Sequence, residues 1–235
     1  MRVVAIIAAA GVGERFGRPG GKQLVSLAGA TVLEHALRPF VSSPLVDAIV
    51  VVAHPRDVAA VRRLTGSVPR ILCVVPGGAT RQESIRRGLE AVPHGAEIVV
   101  VHDGARPLLT TETLERVLEA LGEGADAAIV GHPCYDTVKR VRDDGFVERT
   151  EDRSGLWLVQ TPQAFRTGIL RHALEQASSE GIEATDDASL VERYGGRVRV
   201  VLGPRDNLKV TVAEDLAIAE ALLSARTSDL KGAPS

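Results

Sequence analysis

Short runs of apolar, often β-branched residues recur along the chain and alternate with stretches in which apolar residues return every third or fourth position. The runs predict buried strands over residues 3–9, 48–53, 70–75, 97–102 and 126–131. The stretches between them predict helices over residues 31–40, 56–64, 80–91 and 111–121. Apolar strands that alternate with helices are typical of a Rossmann-like α/β fold, in which helices cover both faces of a mostly parallel sheet.

A more polar segment interrupts this alternation after residue 131. It contains the stretches Val-Lys-Arg-Val-Arg and Phe-Val-Glu-Arg-Thr, joined through Asp144-Gly145. An Asp-Gly pair between alternating stretches is a strong signal for a β-hairpin. We therefore predict a hairpin arm over about residues 134–157, protruding from a single domain that spans residues 1–225. The polar residues 226–235 are predicted to form a disordered tail.

Two helix starts carry the pattern of a capping box, in which a Thr side chain and a Glu three residues later satisfy each other's free backbone N–H groups. The pairs are Thr80 with Glu83 and Thr211 with Glu214. They predict helices that begin directly after each Thr.

Composition narrows the range of functions. The 235 residues are 45% hydrophobic and 25% charged, which fits one large domain. The net charge of −2 provides no basic field for binding nucleic acid. Cys73 and Cys134 are far apart, which argues against a disulfide framework or a structural zinc site. The apolar N-terminal run is too short to cross a membrane and no signal peptide is evident, so we expect a cytoplasmic protein with no membrane partner.

A glycine-rich loop, Gly-Val-Gly-Glu-Arg-Phe-Gly, follows the first predicted strand, and Lys22-Gln23 comes shortly after it. A Rossmann fingerprint needs its third glycine one residue earlier, and an acidic residue after the second strand, where His54 stands. A P-loop needs glycine instead of Phe16 and Ser or Thr instead of Gln23. The loop matches neither motif, although small residues at the carboxyl end of a strand still favour a phosphate site.

The remaining pattern, G-x-G-x-R-x-G followed by Lys-Gln, resembles the signature loop of nucleotidyltransferases that activate sugars and polyols with nucleoside triphosphates. Attack on an α-phosphorus concentrates negative charge on the transferring group and on pyrophosphate, and two cations on one loop can stabilise that charge. The resemblance implies catalytic roles for Arg15 and Lys22; the alternative is a glycine-rich turn with two solvated cations. Relatives usually have Pro before this lysine, whereas this chain has Gly21. The resemblance also implies that three loop residues contact CTP: Ala10, Gly11 and Gly13.

The string His-Asp-Gly-Ala-Arg-Pro follows the fourth predicted strand and contains Asp103. An aspartate at a strand's carboxyl end, beside a phosphate loop, is well placed to hold Mg²⁺, although a lone aspartate there is as often a turn or cap residue. The whole string resembles the H-D-x-A-R-P of the methylerythritol phosphate cytidylyltransferases. That resemblance implies that Asp103 serves the metal and CTP, that Gly104 contacts CTP, and that Arg106 faces the acceptor.

A second glycine-rich segment, Pro-Gly-Gly-Ala-Thr-Arg-Gln-Glu-Ser over residues 76–84, follows the third predicted strand. Its glycines allow backbone groups to meet a base, and carbonyl oxygens can select the amino group of a pyrimidine. The resemblance implies that Gly78 and Ser84 contact cytosine. The segment is also a capped helix start, and both interpretations can hold because they use different residues.

Further family strings follow in order through the second half of the chain, so that the resemblance covers about residues 2–223. Each string is weak alone, since charged hairpins are usually solvated and Thr-Asp-Asp is a common cap. The resemblance implies that Arg153 and Lys209 hold the acceptor's phosphate and that Asp206 assists Asp103 with the metal. It implies four more substrate-positioning residues: Asp136, Thr137, Thr161 and Thr185.

The resemblance thus implies transfer of CMP from CTP to 2-C-methyl-D-erythritol 4-phosphate, with Mg²⁺, in the non-mevalonate pathway of isoprenoid biosynthesis. It also implies a homodimer with exchanged hairpin arms. The sequence supports this independently, because a lone hairpin is marginally stable and needs a surface to pack on. Three alternatives remain open: a ribitol 5-phosphate cytidylyltransferase, an enzyme that uses UTP or GTP, and a catalytically silent nucleotide-binding regulator. A silent regulator would be expected to lack Arg15, Lys22 or Asp103, and all three are present.

Overall fold

The computed structural model of the chain describes residues 2–11, 13, 16, 21–122 and 124–232, with residues 227–232 described by their backbone alone. The strands are β1 (Val3–Ala9), β2 (Ser26–Leu27), β3 (Ala30–Thr31), β4 (Ala48–Ala53), β5 (Ile71–Pro76), β6 (Ile98–Asp103), β7 (Ala127–Pro133), β8 (Lys139–Val141), β9 (Val147–Thr150), β10 (Trp157–Arg166) and β11 (Val198–Leu202). The helices are α1 (Val32–Ser42), α2 (Val58–Thr65), α3 (Arg81–Glu90), α4 (Thr111–Leu121), α5 (Thr167–Glu180), α6 (Asp187–Arg193) and α7 (Ala213–Gly232).

A seven-stranded sheet forms the centre, in the order β11-β7-β10-β6-β1-β4-β5. The pairs of β1 with β4 and β6, of β4 with β5 and of β11 with β7 are parallel. Only β10 runs antiparallel to its two neighbours in this sheet, β6 and β7. The predicted mostly parallel sheet is therefore confirmed.

Both faces of the sheet are covered because the side chains of each strand alternate between them. In β1, Ala5 and Ile7 pack on one face against α1, α2 and α4, while Val4 and Ile6 pack on the other face against α3, α5 and α6. All four side chains are completely buried. The helices cover both faces of the sheet, as predicted, so the carboxyl ends of the parallel strands remain accessible to a ligand.

The sequence predicted β1, β4 and α4 with the observed bounds, and the other predicted elements differ from the observed ones by one or two residues. It did not predict β10, which inserts between β6 and β7. The polar residues Gln160, Thr161 and Gln163 interrupt its apolar pattern, and its pairing with β7 shifts register between Val159 and Gln163. A strand that pairs with distant segments and contains such an irregularity has no clear local signal.

The two predicted capping boxes form only in part. The Thr80 hydroxyl accepts from the Glu83 N–H at 3.1 Å as predicted, but the Glu83 carboxylate accepts from the Ala79 N–H at 2.8 Å. At the last helix the prediction of Glu214 is wrong, because α7 begins at Ala213 and brings Asp215 within reach instead. The Asp215 carboxylate accepts from the Thr211 hydroxyl at 2.7 Å and from the Thr211 N–H at 2.6 Å.

The hairpin arm forms as predicted, with β8 and β9 antiparallel and Gly145 at a positive φ of 84° in the turn. Residues 141–150 are all exposed. The segment predicted as a disordered tail differs, because α7 continues to Gly232 and its Arg226 donates to the Leu108 carbonyl at 2.8 Å; residues 233–235 lie outside the described residues. Within the described part of the chain, no helix combines the length and apolar character needed to cross a bilayer.

Candidate active site

A cavity of about 360 Å³ opens at the carboxyl ends of β1, β5 and β6. This is where open α/β sheets bind ligands, because the loops that leave neighbouring parallel strands meet there. The cavity brings together residues that the sequence analysis assigned to CTP, catalysis and the acceptor. Seven predicted residues line it: Ala10, Gly11, Lys22, Gly78, Ser84, Asp103 and Lys209.

Two small-residue loops form one wall of this cavity. A Cβ atom added to Gly77 would collide with the Cβ of Ala10, so the loops after β1 and β5 pack at a distance that only glycine permits. The Ser84 hydroxyl accepts from the Gly78 N–H at 3.0 Å and donates to the Thr80 carbonyl at 2.9 Å. Ser84 therefore fixes the shape of the loop that offers its backbone to the cavity.

Lys22 lies in a short 3₁₀ turn, Lys22–Leu24, and is only 8% exposed although it lines the cavity. Gly13 has a positive φ of 66°, and a Cβ atom there would touch the Lys22 side chain. Gly21 has φ −56°, a value that proline also adopts, so this glycine keeps the conformation expected of the usual Pro. Arg15, the second predicted catalytic cation, lies outside the described residues.

Asp103 is the carboxylate of the cavity, and three cations surround it. Its Oδ2 lies 2.8 Å from Lys209 Nζ and 3.6 Å from Arg106 Nε, and its Oδ1 lies 3.8 Å from Arg81 Nε. Burial by itself would raise the pKa of Asp103, but Lys209, Arg81 and Arg106 outweigh it and hold this pKa well below its usual range. Asp103 is therefore ionised and provides a permanent negative charge among cations.

A hydrogen-bond network behind the cavity fixes the backbone of Asp103. The Nε2 of His102 lies 3.3 Å from the Arg106 carbonyl oxygen, which can only accept, so Nε2 carries the hydrogen. Its Nδ1 then accepts from the Thr161 hydroxyl at 3.0 Å, and that hydroxyl accepts from the Asp103 N–H at 3.0 Å. The predicted residue Thr161 thus lies beneath Asp103, while Gly104 donates its N–H to the Ala8 carbonyl at 2.9 Å.

The completely buried His102 predicts a pH dependence of stability. Burial lowers the pKa of His102 to about 4, so between about pH 4 and 6.5 the unfolded chain binds a proton here that the folded chain does not. The free energy of unfolding therefore rises with pH across this window, by up to about 3 kcal/mol. Denaturant titrations should show that His102→Gln flattens this rise. The exposed His94→Gln is the control, and an unchanged slope in His102→Gln would contradict the assignment.

Arg81 and Asp187 also belong to this site, although the sequence did not identify them. Arg81 lines the cavity at the start of α3, and its Nη1 forms an ion pair with Asp187 Oδ2 at 2.8 Å. Asp187 is only 1% exposed. Arg81 lies in the glycine-rich segment of residues 76–84, and Asp187 lies in the Thr-Asp-Asp segment of residues 185–187. Their ion pair joins positions far apart in the chain, so no local sequence pattern predicts it.

The remaining predicted residues do not line the cavity. Asp206 pairs with Arg226 Nη2 at 2.7 Å. Asp136 and Thr137 are exposed at the base of the arm, where Arg153 donates to the Tyr135 carbonyl. Thr185 is exposed just before α6. Their predicted roles toward the acceptor stay predictions.

The donor set of the cavity fits Mg²⁺ that is held mainly by its substrate. Among the described residues, no group of three or more His, Cys, Asp or Glu side chains could hold a metal ion. Mg²⁺ commonly uses one or two carboxylates, together with substrate phosphates and water. Asp103 lines the cavity and offers such a carboxylate, although its Oδ2 pairs with Lys209; Asp206 pairs with Arg226 and does not line the cavity.

Comparisons with known proteins show the family to which the chain is similar. A family model for 2-C-methyl-D-erythritol 4-phosphate cytidylyltransferase matches residues 3–225. A protein of that name from Symbiobacterium thermophilum is 48% identical over 221 residues, covering 94% of this chain and 92% of the relative. Another from Pelotomaculum thermopropionicum is 44% identical over 234 residues, covering 97% of each chain.

Solved structures give the same result. The 4-diphosphocytidyl-2C-methyl-D-erythritol synthase of Anaerococcus prevotii superposes with a TM-score of 0.85 at 31% identity, covering 95% of this chain and 98% of that one. The 2-C-methyl-D-erythritol 4-phosphate cytidylyltransferase of Thermus thermophilus superposes with a TM-score of 0.77 at 35% identity, covering 95% and 100%. With its motifs, its fold and its cavity in agreement, the chain belongs to the 2-C-methyl-D-erythritol 4-phosphate cytidylyltransferase family.

Proposed function

We propose that this protein transfers CMP from CTP to 2-C-methyl-D-erythritol 4-phosphate, giving 4-CDP-2-C-methyl-D-erythritol and pyrophosphate. One observation carries the proposal: Asp103, Lys22 and Lys209 line a single cavity beside the Gly78 loop, in a chain of this family. The cavity supplies a backbone wall for a base and cations for phosphates. The cytoplasmic location expected from the sequence stays a prediction.

The chemistry needs positioned charges more than a reactive side chain. The phosphate of the acceptor is a fair nucleophile near neutral pH because its second pKa is about 6. Its oxygen attacks the α-phosphorus of CTP in line, the new P–O bond forms, and the bond to pyrophosphate breaks. Lys22 offsets charge on the transferring and leaving groups, and no covalent enzyme intermediate is required.

Asp103 would hold Mg²⁺ in this reaction, and the ion would supply positive charge to the triphosphate. Asp206 was expected to assist, but it does not line the cavity, and its Oδ2 pairs with Arg226 at 2.7 Å. Arg106 lies 3.6 Å from Asp103 and donates to the Asn207 carbonyl at 2.8 Å. It therefore braces Asp103 against the loop that carries Lys209.

Turnover with matched substrates tests this function. Pyrophosphate release should require both CTP and 2-C-methyl-D-erythritol 4-phosphate, and it should be slow when UTP or GTP replaces CTP. Faster turnover with ribitol 5-phosphate would favour the sister activity. Binding of CTP without release of pyrophosphate with any acceptor would favour a silent regulator.

The family resemblance assigns Arg153 to the acceptor, and in the structure Arg153 is exposed at the base of the arm, outside the CTP cavity. Arg153→Ala should raise KM for the polyol phosphate about tenfold or more, since a charge-assisted bond to phosphate is lost. CTP binding, measured calorimetrically without acceptor, should stay nearly unchanged. Arg142→Ala, which removes another exposed arginine of the arm, is the control. Equal damage to CTP binding in Arg153→Ala would refute this role.

Lys209 is expected to behave differently from Arg153. It was assigned to the acceptor's phosphate by resemblance, but it also pairs with Asp103 in the cavity. Removing it changes the charge around both substrates, so Arg153→Ala is the cleaner test of acceptor binding.

We further propose that the protein is a homodimer whose hairpin arms are exchanged. The arm exposes Val141, Phe146 and Val147, at 54%, 67% and 56%. The first three residues of β10, which are Trp157, Leu158 and Val159, are exposed as well, whereas residues 160–165 are buried. Apolar side chains exposed on and beside a hairpin are costly in water, and a two-fold partner would cover them in both subunits. Thr137 and Arg153 would then complete the partner's pocket.

A further inference from the structure

Three acidic residues meet around Arg81, at the junction of three elements. Arg81 is the first residue of α3, Asp187 is the first residue of α6, and Asp103 ends β6. The guanidinium lies 2.8 Å from Asp187 through Nη1 and 3.8 Å from Asp103 through Nε. Asp186 adds a further negative charge close by. One cation is therefore shared unequally between the carboxylate of the cavity and a carboxylate behind it.

Asp187 forms a close ion pair with Arg81, at 2.8 Å, and its carboxylate is buried. Burial raises the pKa of Asp187, and Arg81 is the main group that opposes this rise. The Asp187 side chain is 1% exposed, whereas the Arg81 side chain is 30% exposed. A buried carboxylate without its cation is strongly destabilising, so the guanidinium stays on the Asp187 side.

The two oxygens of Asp103 consequently have different surroundings. Oδ2 lies close to Lys209, at 2.8 Å, and Arg106 approaches it to 3.6 Å. Oδ1 faces Arg81 at 3.8 Å, which is longer than a hydrogen bond. Oδ1 is thus the oxygen that a divalent cation can reach without first displacing a close ion pair.

We propose that Asp187 and Arg81 form a positioning pair for Asp103, in which Asp187 holds the Arg81 guanidinium back and keeps Oδ1 open to a divalent cation. This inference rests on the proposed function, in which Asp103 holds Mg²⁺ with CTP. Without the Asp187 charge, Arg81 would close on Oδ1 and compete with the cation. If the Arg81–Asp103 pair shortened by about 1 Å, at an effective dielectric constant of about 20, the affinity of the site for Mg²⁺ would fall roughly three- to tenfold after allowance for screening by solvent.

The test measures CTP affinity by calorimetry over a series of Mg²⁺ concentrations and extracts the concentration at half-saturation. Asp187→Asn should raise this concentration roughly three- to tenfold. Asp186→Asn is the matched control, because it removes a neighbouring charge and Asn still caps α6; it should change the value less than about twofold. Adding Arg81→Gln to Asp187→Asn removes the competing cation and should return the value toward that of the wild type.

Each result has a distinct meaning. If Asp187→Asn and Asp186→Asn give the same Mg²⁺ dependence, or if the double variant keeps the raised value, the positioning role is refuted. A merely structural Asp187 would lower the melting temperature without moving the half-saturation. If Asp187→Asn does not fold, Arg81→Lys carries the test: its ammonium should stay with Asp187, and a raised Mg²⁺ requirement would overturn the proposal. Asp103→Asn distinguishes failure of the positioning pair from failure of the proposed function. An unchanged Mg²⁺ dependence in that variant would refute the proposed metal role of Asp103.

Discussion

Lys22→Ala is expected to lower kcat roughly 10²–10³-fold, the usual loss when one donor that stabilises transition-state charge is removed. Lys22 lines the cavity and is only 8% exposed, so its ammonium acts in a largely dehydrated setting where charge interactions are strong. CTP affinity should fall much less than kcat, because the charge that Lys22 stabilises is largest during transfer. Steady-state kinetics with saturating substrates, together with CTP calorimetry, measures both effects.

Arg38→Ala is the control for Lys22→Ala, since Arg38 is an exposed cation of α1 that does not line the cavity. Its kcat should match that of the wild type. The melting temperature of Lys22→Ala should be compared as well, because Asp215, in the first turn of α7, lies within the electrostatic range of Lys22 and accepts from Thr211. An unchanged kcat in a folded Lys22→Ala protein would contradict the catalytic role of Lys22.

Mixing Lys22→Ala protein with Arg153→Ala protein, each of which has little activity at limiting acceptor concentration, is expected to restore activity to about one quarter of the wild-type level after complete exchange. If the arm of one subunit completes the pocket of the other, each heterodimer has one pocket with both defects and one pocket with neither. Half of the dimers in an equal mixture are heterodimers, and each contributes one intact pocket of two. Activity at limiting acceptor concentration, followed during subunit exchange, is the measurement.

A second mixture serves as the control for this experiment. Lys22 and Lys209 line the same cavity of one chain, so mixing Lys22→Ala with Lys209→Ala should restore no activity. Absence of recovery with Arg153→Ala, despite exchange confirmed by mass spectrometry, would mean that Arg153 serves its own subunit. A monomeric mass in solution would remove the proposed dimer altogether.

Local sequence patterns were sufficient to predict most strands and helices of the central sheet and the turn of the arm. Apolar runs and helical periodicity predicted β1, β4 and α4 with the observed bounds, because buried strands and amphipathic helices carry their signals within a few residues. Asp144-Gly145 predicted the turn of the arm for the same reason. The glycine loop and Asp103 were placed together because the carboxyl ends of neighbouring parallel strands meet at one edge.

Other features depended on contacts between residues that are distant in the chain, and only the tertiary structure decided them. The insertion of β10 between β6 and β7 requires two long-range pairings. The Asp206–Arg226 pair exists because α7 extends past the expected end of the domain and returns to the loop after β11.

Asp103 shows most clearly which features the sequence determined and which the tertiary structure decided. The sequence by itself determined that an aspartate ends a buried strand beside a phosphate loop, since that follows from the order of residues along one βα unit. Only the tertiary structure decided that Lys209 and Arg106 take one oxygen of this carboxylate while Asp187 holds Arg81 back from the other. Ion pairs depend on distances and burial set by the packing of β6, α3 and α6, and no local pattern encodes those distances.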